Sequence, residues 1–108
     1  MPVLENAVNT RLEIIRVIYN LSGEQSGKTV TFFAAQINGG YYGEIYHQLR
    51  FLQEKGLVSF SRNMISKRFS AELTESGLSF MMDAYGALSL ADEEKDEALK
   101  EVFSRIKV

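Results

Sequence analysis

Gly56 divides the stretch of this chain that most limits how it can fold. Before it, Ile45, Leu49 and Leu52 recur at i, i+4 and i+7, the spacing of one buried face of a helix from about Tyr42 to Lys55. A glycine just past the last of them is where such a helix stops. After it the period drops to alternation. Leu57 to Arg62 reads as one strand and Arg68 to Leu73 as its antiparallel partner. Asn63 to Lys67 between them has hairpin length, although Met64 and Ile65 are unusually apolar for a turn. Thr74-Glu75-Ser76-Gly77 then opens a helix, with Thr74 as N-cap and Glu75 well placed in the first turn.

The flanking segments read as helices. Residues 4–21 are rich in helix formers, with Val8, Leu12, Ile15 and Ile18–Leu21 spaced for one face, and Asn9 or Thr10 available to cap a later start. Ser22 to Gly27 is a loop by composition. A short helix is expected from Thr31 to Ile37, with Phe33, Ala34 and Ile37 inward, stopped by Asn38-Gly39-Gly40. With the helix after it, this makes a helix-turn-helix. The helix after the hairpin carries Leu78, Met81, Met82, Tyr85 and Leu88, and a last one, about Asp92 to Ile106, carries Leu99, Val102, Phe103 and Ile106. The expected class is α+β: three helices and a two-stranded wing in winged-helix order over residues 1–75, then helices over residues 76–108.

A chain of 108 residues has room for one core. Without cysteine there are no disulfides, thiolate zinc sites or cysteine nucleophiles, and a single histidine leaves no histidine-rich metal site. No run reaches the ~18 apolar residues of a membrane span, and no signal peptide is visible. These features suggest a cytoplasmic protein that needs no cofactor or metal and makes no membrane contact. The formal net charge is −2, but residues 28–70 carry six bases and two acids. A basic middle sits inside an acidic whole.

The segment Gly43 to Val58, with its Leu-x-x-Leu…Lys-Gly-Leu-Val pattern, resembles the recognition helix and first wing strand of PadR-type regulators. Arg68 to Gly77 resembles the second wing strand and the Leu-Thr-x-x-Gly helix entry that MarR-type proteins share. The resemblance covers roughly residues 30 to 80. It implies dimeric repressors that join through C-terminal helices and insert one helix per half-site of double-stranded DNA.

Helix geometry supports the same assignment, because burying Ile45, Leu49 and Leu52 leaves Tyr42, Glu44, Tyr46, His47 and Arg50 on or near the opposite side. Tyr41 and Gln48 are further candidates on that helix. Arg62, Lys67 and Arg68 on the wing and Lys28 before the second element are candidates for phosphate or minor-groove contact. Met81, Met82, Tyr85, Leu88, Leu99, Val102, Phe103 and Ile106 are the expected homodimer surface. Alternatives stand beside these readings. Tyr41 or Tyr42 can pack on the first helix, His47 can be an ordinary surface residue, and the last helix can fold back onto its own chain. The domain can also serve as a DNA-coating adaptor or in protein contacts alone.

Gly23 to Thr29 looks like a phosphate-binding loop, but only three residues separate its glycines where that loop needs four, and it follows a helix rather than a strand. No other catalytic set is visible, so the chain reads as a binding protein and not an enzyme.

Overall fold

The structure, a computed structural model, describes residues 3–107. It is α+β, with four α-helices and a three-stranded antiparallel sheet. In chain order these are α1 (Val3–Leu21), β1 (Val30–Phe33), a 3₁₀ turn (Ala34–Gln36), α2 (Tyr42–Glu54), β2 (Val58–Asn63), β3 (Arg68–Leu73), α3 (Glu75–Leu88) and α4 (Asp92–Ser104). Asn9 and Thr10 lie inside α1 and cap nothing.

The short helix expected over Thr31–Ile37 is not there. Val30-Thr31-Phe32-Phe33 is a strand on the free edge of β3, with Val30 opposite Ala71 and Phe32 opposite Phe69. Two causes act together. β-Branched and aromatic side chains fit a pleated surface, and β3 offers an unpaired backbone edge. Period two sends Val30 and Phe32 inward and turns Phe33 out, the reverse of the expected orientation for Phe33. What remains of the helix is the single 3₁₀ turn, where Gln36 Oε1 accepts the Phe33 amide at 2.8 Å. Asn38 and Gly39 take the expected left-handed conformation (φ 50° and 68°) and turn the chain into α2.

The sheet order is β1-β3-β2. Its inner face is Val30, Phe32, Val58, Phe60, Phe69, Ala71 and Leu73, and its outer face mixes serine and threonine with Phe33, Asn63, Arg68 and Glu72. Phe69 is the hub of this inner face. Phe32, Tyr42 and Phe60 surround its ring at centroid distances of 5.8, 5.0 and 6.4 Å. Such pairs contribute roughly 0.5–1.5 kcal/mol each beyond buried area.

Both ends of the hairpin are closed as the sequence predicts. Gly56 (φ 77°) ends α2, and the Leu57 amide reaches back to Leu52 O at 3.0 Å. Thr74 caps α3 by accepting the Gly77 amide at 3.0 Å. Gly77 itself has no room for a side chain, since a Cβ there would collide with the Leu57 carbonyl oxygen. The bare backbone at this position lets α3 lie against the start of the hairpin.

α3 and α4 share one core with the rest of the molecule. Phe80, Met81, Ala84, Val102 and Ile106 are buried together with the strands and with Ile14, Ile15 and Ile18 of α1. This corrects the expected dimer surface, because Met81, Val102 and Ile106 are spent inside their own chain. Leu99 and Phe103 are half-buried along an apolar groove of about 230 Å³ that Leu12 of α1 and Tyr85 and Leu88 of α3 also line. The last helix packs on α3, and the segment just past it, at Ile106, reaches α1. Arg11 makes that link: it is buried, donates to Ile106 O at 2.6 Å and to Gln48 Oε1 at 2.6 Å, and lies 3.5 Å over the Phe51 ring. Burial pushes its pKa below the ordinary value. Near the other end of α1, the Tyr19 hydroxyl donates to Glu24 at 2.8 Å, which with desolvation holds the phenol above its ordinary range.

Candidate nucleic-acid interface

The three sides of α2 that do not carry Ile45, Leu49 and Leu52 have separate fates. One carries Tyr42, Tyr46 and Gln53 against the hairpin, where Gln53 Oε1 accepts the Phe60 amide at 3.1 Å. The outermost carries Gly43, His47, Arg50 and Glu54 into solvent. The third carries Gln48 and Phe51 toward Arg11. Gln48 is therefore withdrawn from the expected site. It is 8% exposed, and its carbonyl oxygen is taken by the Arg11 guanidinium.

On the hairpin side, residues from both elements converge. Arg62 lies opposite Phe69 in the ladder, so its side chain continues the inner face of the sheet past the end of the core. Its guanidinium sits 3.8 Å over the Tyr46 ring and donates to Tyr42 Oη at 3.2 Å. Lys67 Nζ lies 4.8 Å from the Tyr42 centroid. Tyr42 is itself stacked on Phe69, 14° from parallel. Tyr42 thus packs on Phe69 of the hairpin rather than on the first helix, and it and Tyr46 hold two cations at the surface. Arg68 points to the other face, 5.0 Å over the exposed Phe33 ring.

The electrostatics are one-sided. Among the described residues Arg62, Lys67 and Arg68 have no carboxylate within ion-pair distance, whereas Arg50 is 3.9 Å from Glu54. Lys28 is exposed two residues before β1, away from any described ion pair. Tyr41 is 82% exposed at the N-cap of α2. Glu44 is exposed in the first turn of α2, where the helix dipole favours a negative charge.

Two contributions escape sequence reasoning. Phe60 is the floor under Tyr46, at 5.8 Å, and Met64 Sδ lies 3.7 Å from Tyr42 Oη. The alternation of β2 was a usable signal for Phe60. Met64 gave none, because turn side chains follow no period.

The loop resembling a phosphate cradle is committed elsewhere, since the Gly27 amide donates to Leu73 O at 2.9 Å. Among the described residues no group of three or more His, Asp or Glu is placed to hold a metal. None of the helices described is long and apolar enough to cross a membrane. No family model, no curated protein and no solved structure matches the chain.

Proposed function

We propose that this chain is a winged-helix protein that binds double-stranded DNA, related to PadR-type regulators, and acts as a sequence-specific transcription regulator. In this reading α2 enters the major groove, presenting His47 and Arg50 outward and Tyr42 and Tyr46 at its shoulder. The hairpin β2–β3 is the wing. The observation that carries the reading is the placement of Arg62 and Lys67, two cations without acidic partners among the described residues, on the aromatic shoulder of an exposed helix. A helix with such cations beside it matches the chemistry of a groove lined by phosphates.

Repressors of this kind work as homodimers on two half-sites, and a partner surface remains on α3. Met82 is 61% exposed, and Tyr85, Leu88 and Leu90 are also open. We place the two-fold contact there rather than on α4. Selection of bound duplexes from random DNA, followed by footprinting, tests the proposal. A single protected site of about two helical turns, carrying an inverted repeat, agrees with it. A long, sequence-independent protected tract points instead to a DNA-coating adaptor, and no binding at low salt refutes DNA recognition altogether.

A further inference from the structure

The tip of the hairpin is apolar where nothing in the fold requires it. Ile65 is 95% exposed and Met64 60%. The turn is closed by other groups: Asn63 Oδ1 accepts the amides of Ile65 and Ser66 at 2.9 and 3.0 Å, and Lys67 supplies the left-handed residue at φ 61°. Asn63 thus closes the turn without using the Ile65 side chain, and a small polar residue would satisfy the same geometry. The tip is also bracketed by Arg62 on one strand and Lys67 on the other, neither of them ion-paired among the described residues. Its position relative to α2 is set, because Met64 touches Tyr42 and Arg62 spans Tyr42 and Tyr46.

We infer that Ile65 is a wedge that enters the minor groove of duplex DNA and partly unstacks one base step, while Arg62 and Lys67 hold phosphates on either side. This rests on the DNA-binding reading above and adds to it a bend in the bound duplex. An apolar side chain at the tip, with two unpaired cations gathered at its base over Tyr42, matches a minor groove, whose floor is base edges and whose walls are phosphates. A lipid surface fits less well. Interfacial binding takes a broad apolar face, and here the apolar tip is two residues wide. Wedges of this kind kink DNA by about 20–90° toward the major groove.

The test uses the intact chain and its selected duplex, with 2-aminopurine placed in turn at each step flanking the α2 site and a fluorophore pair at the duplex ends. Wild type and Ile65→Leu should raise 2-aminopurine emission at one step and shorten the end-to-end distance. Ile65→Ser should do neither, yet bind with an affinity within about tenfold of wild type, because the unstacking cost disappears together with the wedge. Ile65 packs on nothing, so folding of this variant is not at risk. Wild-type binding without unstacking at any step, or unstacking that persists in Ile65→Ser, overturns the wedge and leaves DNA recognition standing. Absence of DNA binding overturns both. Binding of wild type to anionic vesicles that Ile65→Ser abolishes, without unstacking of DNA, assigns the tip to membrane instead and overturns the wedge.

Discussion

Arg11 is a buried cation with no carboxylate against it among the described residues. The cost of taking a guanidinium out of water is offset by two short hydrogen bonds and an aromatic face. Removing one acceptor exposes that balance. Gln48→Leu should lower stability by roughly 1.5–3 kcal/mol in urea unfolding, the range for a hydrogen bond to a charged group. The folded fraction of the same variant should retain its DNA affinity, and a strong loss of affinity there would return Gln48 to the interface. Gly77 is a second residue whose chemistry is dictated by a neighbour. Gly77→Ala drives a methyl group into the Leu57 carbonyl, and a loss of at least about 1–3 kcal/mol is expected from the forced backbone shift. Unchanged stability would mean that α3 does not approach the hairpin as closely as described. Residues of this kind were legible in part. Thr74 and Gly77 stand in a recognisable helix entry, and Arg11 falls on the same face as Ile14, Ile15 and Ile18, which marks it as inward-facing once that face is drawn. The identity of its partners, 37 and 95 positions away, is a tertiary fact with no local signal.

At the level of elements, the run from α2 to α3 was legible almost residue by residue, because each boundary has a local chemical cause: Gly56, the alternation on both sides of the turn, and Thr74. β1 was not. Val30 to Phe33 is four residues long, too short to show a period, and its pairing partner lies beyond position 67. The apolar stripe of α4 was visible, but not what covers it. A stripe is satisfied equally by a second copy or by the same chain, and here α3 supplies most of the cover. It follows that removing the residues after Ser89 should unfold the protein rather than merely separate two copies. Ile106→Ala alone should lose about 2–5 kcal/mol on denaturation, as for other fully buried aliphatic residues. A chain ending at Ser89 that keeps its full cooperative transition would contradict this packing.

The whole molecule brings two surfaces into view. One is the basic, aromatic shoulder between α2 and the hairpin. The other is the exposed face of α3, where Met82 and Leu88 lie open on the same helix whose inner side carries Phe80 and Ala84. Met82→Glu with Leu88→Glu should leave folding intact, since neither side chain is in the core, and the proposed dimer predicts wild type at the dimer mass and this variant at the monomer mass by sedimentation velocity. A dimer that survives both charges places the two-fold contact elsewhere. The net charge of −2 does not oppose nucleic-acid binding, because Arg62, Lys67 and Arg68 gather on the hairpin while the acids concentrate in α4. DNA recognition by the α2–hairpin shoulder is tested most directly by the salt dependence of binding to the selected duplex, measured by fluorescence anisotropy for wild type and for Arg62→Ala with Lys67→Ala. The plot of log affinity against log salt should flatten by about 0.9 for each phosphate that the variant no longer neutralises, summed over both protomers. An identical slope and affinity in the two proteins would contradict the assignment of this surface to DNA.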